Sequence, residues 1–444
     1  VGVLTFKQGI HPEYNKDLSK DKPLRKAKRP SVVVIPLQQH IGAPCKPLVK
    51  KGDHVDLGQK IGDSDSFVSA PVHASVSGVV KEIRKVLTPV GKRVDAIVIE
   101  ADEEDVLAEG IEPKGSLADL TPEEIRSIVR EAGIVGMGGA MFPTHVKLAV
   151  PEGKKVEYFI LNGAECEPYL TVDHRIMIER PGDVVTGLKL LMKAARVEKG
   201  IIAIEDNKEE AIRSMREAVS SEKGLEVIEL ETKYPQGGEK MLIKAILKRE
   251  VPVGGLPLDV GVIVNNVTTA VAVADAINEG LPLIERSITV TGRGVVEPVN
   301  LIYRIGTTID ELIKEAGGFS GKPGKVILGG PMTGFAQPEL NVPAVKGTSG
   351  IVVFTEDEAR DYEVLPCIKC ARCVDACPQY LLPVNLSQYT EYEMYDELEK
   401  YQVLNCIECG SCSFICPAKR PLMQRIKIGK AEVIARKRKE QQGG

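Results

Sequence analysis

Tryptophan is absent from this 444-residue chain and aromatic residues make up only 4% of it. That excludes the repeated aromatic platforms on which single-stranded nucleic acid stacks. A surplus of positive charge is also lacking. The 58 Lys and Arg are outnumbered by 62 Asp and Glu, giving a formal net charge of −4 and a pI near 6.0, so no whole-molecule basic footprint for nucleic acid exists. No apolar run approaches the roughly 20 residues that span a bilayer. The longest, residues 260–274, is interrupted by Asn265 and Asn266. The first residues carry no signal-type apolar core, and the six histidines show no HExxH pair. What remains is the composition of a soluble, cytosolic, multidomain protein: 43% hydrophobic and 27% charged residues, over a length that suits about three domains.

Ten cysteines are the most informative residues present, and eight of them lie between Cys367 and Cys416. Clustered thiols in an intracellular chain point to metal rather than to disulfides. The first run is Cys367, Cys370, Cys373 and Cys377 followed by Pro378. The second is Cys406, Cys409, Cys412 and Cys416 followed by Pro417. Three thiols at three-residue steps on a tight turn reach one iron–sulfur cube, while the fourth, one step further, reaches the other. The expected ligand sets are Cys367, Cys370, Cys373 and Cys416 for one [4Fe-4S] cluster, and Cys406, Cys409, Cys412 and Cys377 for the second. Two Cys₄ zinc sites are the competing reading, although zinc sites favour pairs of cysteines over two runs of four. The 28 residues from 378 to 405 place Leu386, Tyr389, Met394, Tyr395, Leu398 and Tyr401 at near-helical spacing, which predicts a helical ferredoxin domain. Cys45 and Cys166 read as small apolar side chains.

The rest of the chain divides by pattern. Residues 1–30 form a basic lead-in, with seven Lys and Arg between positions 16 and 29, read as solvated or as an arm for an acidic partner. Short β-type runs at 31–35, 76–80 and 96–100 lie within a segment, 31–110, that resembles a biotinyl/lipoyl-type β-sandwich. That family carries its cofactor on a hairpin lysine; no lysine lies between Lys60 and Lys81, so a structural module is implied. Residues 115–284 alternate strands (156–161, 200–204) and helices (208–219), a Rossmann-like α/β pattern that opens on the Thr121-Pro-Glu-Glu124 capping box. Residues 285–350, with strand 287–292 and a second capping box at Thr308–Glu311, resemble a soluble-ligand-binding β-grasp (SLBB) module. Residues 360–425 hold the cysteine runs. Residues 426–444 close a basic tail, read as a fraying exposed helix or as a dock for an acidic partner or anionic lipid.

Within the α/β segment, Gly133, Gly136, Gly138 and Gly139 fall within seven residues and Lys147 follows. Glycines let backbone N–H groups close on an anion, and a lysine adds charge. The GxGxxG dinucleotide pattern is absent. Asn162-Gly-Ala-Glu165-Cys-Glu167, Tyr234-Pro-Gln-Gly-Gly-Glu239 and Asn265-Asn266-Val-Thr-Thr269 come next in order, supplying donors and acceptors suited to hydroxyl-rich ligands. These four segments resemble the motifs of the flavin- and NADH-binding subunit of respiratory complex I. With the β-sandwich and the two cysteine runs, nearly the whole chain resembles the RnfC family of Rnf electron-transport complexes.

The resemblance implies that Gly136, Gly138, Gly139 and Lys147 cradle the phosphate side of a noncovalent FMN. It also implies that Asn162, Glu165 and Glu167 serve flavin and nucleotide, and that Tyr234 lies beside the nicotinamide. Glu239, Asn265, Asn266 and Thr269 complete that pocket. Ala164, Gly238 and Thr268 replace acidic residues of the family motifs, which bears on nicotinamide orientation. The implied role is hydride exchange between NAD(H), as substrate, and FMN, with single electrons passing through two clusters. No catalytic side chain is required. Implied partners are integral membrane and iron–sulfur subunits of the same complex and, indirectly, ferredoxin, with the chain peripheral on the cytoplasmic side of the membrane. Two readings compete with this one: a soluble flavin/iron–sulfur reductase such as a microcompartment cobalamin reductase, and a non-enzymatic electron relay or scaffold.

Overall fold

The computed structural model describes residues 3–443. Its N-terminal stretch departs from the solvated lead-in expected from composition, and it straps three modules together. Leu4 pairs with the strand end at Leu230, Ile10 bridges Tyr234, and Ser19 hydrogen-bonds Thr171 at 2.8 Å. β1 (Leu24–Lys26) then adds in parallel to the strand Val299–Arg304. Three cations of the basic run tie it to the rest of the molecule. Lys16, 8% exposed, donates to three backbone carbonyls, and Arg25 and Arg29 pair with Glu315 and Asp105. These partners lie 76 to 290 residues away, beyond any local charge pattern.

The β-sandwich is built from β2 (Val32–Pro36), β3 (Lys46–Pro47), β4 (His54–Val55), β5 (Lys60–Asp63), β6 (Val72–His73), β7 (Gly78–Leu87) and β8 (Arg93–Ala101). One sheet has the order β2-β8-β7-β4 and the other β3-β5-β6. Alternate residues Val33 and Ile35, and Ile97 and Ile99, face one core with Val55, Ile61 and Val72, and the intervening Val34, Ala96 and Val98 pack with Val86 on the other face. The long β7–β8 hairpin reaches away from this core, and Leu87 packs on the β-grasp core.

In the α/β segment α1 (Pro122–Glu131) starts on the expected box. The Thr121 hydroxyl accepts from Glu124 N, and the Glu124 carboxylate accepts from Thr121 N. α2 (Thr144–Leu148), β9 (Tyr158–Gly163), α3 (Val172–Glu179), α4 (Pro181–Ala195), β10 (Lys199–Glu205), α5 (Glu209–Val219), β11 (Leu225–Leu230), α6 (Glu239–Leu247), β12 (Val262–Asn266) and α7 (Val267–Asn278) follow. The four strands are parallel in the order β11-β10-β9-β12. The inner strands β10 and β9, with β12, are largely aliphatic runs buried on both faces, as a helix-covered parallel sheet requires, while the edge strand β11 is only half-buried. The chain steps outward from β9 to β11 and then returns to the far side of β9. The carboxyl ends of β9 and β12 therefore flank a topological switch point, where open α/β sheets bind ligands.

The β-grasp module contains β13 (Glu285–Thr291), β14 (Val299–Arg304), α8 (Ile309–Glu315), β15 (Pro323–Leu328), β16 (Phe335–Ala336) and β17 (Gly350–Thr355). With β1 they form a sheet of order β1-β14-β13-β17-β15-β16. The second capping box also forms: Thr308 Oγ1 accepts from Glu311 N, and Glu311 Oε2 from Thr308 N. Thr308→Ala removes the N-cap acceptor and the hydroxyl's own bond to the Glu311 carboxylate, while the backbone bond from residue 308 remains. It should cost about 1 kcal/mol in a denaturation series, with no change in metal or flavin content.

The cysteine region is helical: α9 (Arg372–Asp375), α10 (Pro383–Glu391), α11 (Tyr395–Lys400), α12 (Ser411–Phe414) and α13 (Leu422–Gly443). The basic tail differs from the fraying end or docking arm that its composition suggested. α13 packs on α10 and α11 and buries Leu422, Ile426 and Val433. Its cations meet carboxylates of the cysteine region, Arg425 with Glu391 and Lys430 with Glu408, and Arg436 lies over the Tyr395 ring at 4.1 Å. No helix among the described residues is long and apolar enough to cross a membrane.

Candidate functional site: a switch-point cavity joined to a thiol cage

A cavity of about 240 Å³ opens at the switch point. On one side lie Gly138, Gly139, Asn162, Glu165, Glu167 and Asn266, all expected from sequence. The opposite wall is the β-grasp module, through Leu328–Gly330, Thr333–Phe335 and residues 345 and 347–349. Pro89 and Val90 at the tip of the β7–β8 hairpin complete the rim, and Gln337 donates to the Pro89 carbonyl at 2.9 Å. Gly138 is required here, because a Cβ at that position would stand 2.9 Å from Asn266 Nδ2 and 3.0 Å from Asn266 Cβ.

The loop after β9 is fixed from three directions. Lys16 Nζ donates to the carbonyls of Glu165 (2.8 Å), Glu167 (3.0 Å) and Leu170 (2.5 Å). The Glu165 carboxylate accepts from Asp173 N (2.7 Å) and His174 N (3.3 Å) and so caps α3. Asn162 donates to Gly237 O and accepts from Ala164 N. Desolvation pushes Glu165 up to about 7, against the pull of Lys16. Asn266 both caps α7, accepting from Thr268 N, and donates to Asp173 at 2.6 Å. Thr269 Oγ1 accepts from Met137 N and props the glycine loop.

Several expected residues lie outside the lining. Lys147 donates to Glu239 Oε1 and to the Val264 carbonyl, both at 2.9 Å, so its charge is already committed. Tyr234 is 2% exposed and its hydroxyl donates to the Cys409 carbonyl at 2.6 Å. This places it between the α/β domain and the cluster loop, outside the lining of the cavity. Gly136 lies behind the loop, its N–H donating to Phe142 O. Asn265 is 3% exposed, and neither amide atom has a partner. An orphaned buried amide is what a ligand-binding asparagine shows without its ligand.

Sequence reasoning missed Cys166 and Asp173, which line the cavity. Asp173 restores a carboxylate next to Thr268, whose hydroxyl donates to it at 2.7 Å, where the family motif carries an acidic residue. Only its place in the helix after the β9 loop could have signalled it. Ala164, by contrast, is packed in a hydrophobic cluster, and Gly238 caps α6.

The second feature is a thiol cage. Cys377, Cys406, Cys409 and Cys412 line one enclosed cavity of about 20 Å³ with Leu386, Met423 and Ile426. Burial and mutual repulsion push these thiols up, Cys406 to about 11, so a bound cation must displace their protons. Among the described residues no three His, Cys, Asp or Glu gather tightly enough for a single metal ion. Thiolates of a cubane each bind a different iron and stand farther apart. In the other set Cys373 has Cys416 and Cys367 as its charged neighbours, and Cys370 is exposed. Tyr234, Cys166 and Ala376, with Cys409 and Ile415 against them, form one apolar cluster joining cavity and cage.

A ligand cavity at an α/β switch point, sealed to a helical domain with two four-cysteine sets, defines a flavin and iron–sulfur electron-transfer protein. The chain matches the Nuo51 FMN-binding domain over residues 129–275, the RnfC barrel sandwich hybrid domain over 4–104, the SLBB domain over 287–336 and the 4Fe-4S dicluster domain over 360–417. It is 50% identical, over 98% of both chains, to the C subunit of the Na⁺-translocating ferredoxin:NAD⁺ oxidoreductase complex of Acetobacterium woodii. It is 49% identical to the proton-translocating counterpart of Clostridium ljungdahlii, covering 88% of this chain and 85% of that one. To the C subunit of the ion-translocating oxidoreductase complex of Rhodobacter capsulatus it is 41% identical, over 86% of this chain and 74% of the other. The crystal structure of NAD⁺-reducing [NiFe]-hydrogenase in the H₂-reduced state superposes with a TM-score of 0.50 at 19% identity. That match covers 73% of this chain and 63% of the other, and it is a likeness of fold. The chain belongs to the RnfC family of the ion-translocating oxidoreductase complexes, and is an oxidoreductase subunit with FMN-binding and iron–sulfur domains.

Proposed function

We propose that this chain exchanges hydride between NAD(H) and a noncovalent FMN in the switch-point cavity, and passes electrons singly through two [4Fe-4S] clusters. The recipients, or donors, are the iron–sulfur and integral membrane subunits of the same complex, which ferredoxin serves indirectly. The chain sits peripherally on the cytoplasmic face. Bound FMN would supply the conversion between two-electron hydride chemistry and one-electron transfer. The chain's own residues position and insulate. Lys16 and Glu165 hold the loop after β9 rigid, the orphaned Asn265 amide offers donors and an acceptor, and the β-grasp wall excludes water.

The observation that carries the proposal is the Tyr234 hydroxyl bond to the Cys409 carbonyl. A residue of a flavin motif and a cluster-loop cysteine are thereby held in direct contact. The relatives' names carry different coupling ions, Na⁺ in one and protons in another, and the proposal commits to neither. The test is a visible and EPR spectrum of anaerobically purified full-length protein before and after NADH. Bleaching of cluster absorbance on adding NADH is expected. Clusters that respond to dithionite but stay oxidised with NADH would reduce the chain to a relay. Co-purification with integral membrane subunits separates the proposal from a soluble reductase.

A further inference from the structure

The cavity that would receive a flavin nucleotide carries three carboxylates in its lining, Glu165, Glu167 and Asp173, and no lysine, arginine or histidine. A phosphate entering this field needs a compensating cation. Lys147, the cation expected from sequence, is bonded to Glu239 and to the Val264 carbonyl. The cation that touches the cavity wall comes from another module. Arg286, on β13 of the β-grasp domain, is 3% exposed. Its Nε donates to the Thr348 carbonyl at 3.1 Å and one terminal nitrogen to the Met137 carbonyl at 2.7 Å. Both acceptors belong to residues that line the cavity, Met137 within the glycine loop itself.

The other terminal nitrogen is buried with no partner, and among the described residues no ion pair involves Arg286. The charged or titratable groups that face it are Asp173 and Tyr303. The Asp173 carboxylate oxygens are taken by Asn266 and Thr268, and the Tyr303 hydroxyl donates to the Val345 carbonyl. A guanidinium desolvated without a carboxylate is costly unless something anionic completes it, and its planar fork suits phosphate oxygens.

We propose that Arg286 is the cation that meets the phosphate of FMN bound at the glycine loop, through the terminal nitrogen left without a partner. The β-grasp module is then part of the flavin site, and Lys147 positions Glu239 and β12 instead of binding phosphate. This rests on the reading that the cavity takes FMN. The pairing also explains why an arginine with so little accessible surface stands at the seam of two modules.

The test uses full-length protein freed of flavin and titrated with FMN and with riboflavin, which lacks the phosphate, alongside thermal midpoints of the flavin-free forms. Loss of one charge-assisted hydrogen bond predicts that Arg286→Met weakens FMN binding by about 10- to 100-fold. Riboflavin binding should fall far less than FMN binding, and the flavin-free midpoint should move little, because removing a buried unpaired charge offsets the two carbonyls left without a donor. Lys147→Met should leave the FMN-to-riboflavin ratio near wild type. If Arg286→Met fails to fold, Arg286→Gln is judged by the same ratio. Equal losses for both flavins with a lowered midpoint would make Arg286 a strut for Met137 and Thr348 and overturn the proposal. So would an unchanged FMN affinity, or a ratio that collapses in Lys147→Met instead. Wild-type protein that binds neither flavin would instead remove the FMN reading itself.

Discussion

Cys377→Ala is expected to remove the cluster of the second cysteine run, although Cys377 belongs to the first. The cavity lined by Cys406, Cys409 and Cys412 takes Cys377 as its fourth wall, and the thiols of Cys406 and Cys412 each count Cys377 among their charged neighbours. Cys373, only four positions earlier, faces Cys416 and Cys367. In anaerobically reconstituted protein, Cys377→Ala and Cys412→Ala should each lose about half of the iron and acid-labile sulfide and the same EPR signal of the dithionite-reduced form. The double variant should lose no more than either single one, since ligands of one cage act as a unit. Cys370→Ala should take the other signal. If Cys377→Ala and Cys370→Ala extinguish the same signal, the crossed ligation is wrong. Zinc in place of iron throughout would overturn the cluster assignment itself. Loss of the second cluster should also loosen the apolar packing of Leu386, Leu398 and Ile426, because Cys377 and Cys412 are part of that core.

The parts of the molecule that were legible in the sequence are those whose physics is local. The 2-2-3 cysteine spacing encodes reach, and Thr121 with Glu124 and Thr308 with Glu311 satisfy orphan N–H groups within one turn. The runs around Phe159 and Ile202 carry their own burial as continuous apolar strands. What was not legible depends on partners far along the chain. Lys16 reads as one cation in a basic run, and only the fold brings three carbonyls of the β9 loop around its ammonium group. Arg286 sits in an ordinary strand pattern, and its position behind Met137, 149 residues away, has no sequence signature. Tyr234 belonged to a motif, yet its hydroxyl is spent on Cys409, 175 residues on. The basic tail illustrates the same limit. Its first cations meet Glu391 and Glu408, so there composition pointed outward where the fold points inward.

Glu167→Ala should weaken both flavin retention and communication with the clusters, because one carboxylate holds the two walls of the cavity together. Glu167 Oε2 accepts from Met332 N at 3.1 Å, and Oε1 from the Thr333 hydroxyl. The β-grasp loop approaches this closely only because residue 330 is glycine: a Cβ there would lie 2.2 Å from Glu167 Oε2. Burial pushes the carboxyl upward, and the bonds from Thr333 and Met332 oppose that shift. Cys409 and Tyr234 both feel its charge. Truncation leaves the part-buried Met332 N–H without its acceptor, a cost of about 1–3 kcal/mol, while the exposed Thr333 hydroxyl turns to water. Translated to a cavity wall no longer held closed, that corresponds to a fall in FMN affinity on the order of 10- to 100-fold. NADH-driven cluster bleaching should slow, with dithionite reduction unaffected. Glu167→Gln keeps an acceptor oxygen and should lose much less. If Gln falls as far as Ala, the negative charge itself is what the bound ligand needs. Full flavin content in Glu167→Ala would show that the β-grasp wall closes without this latch.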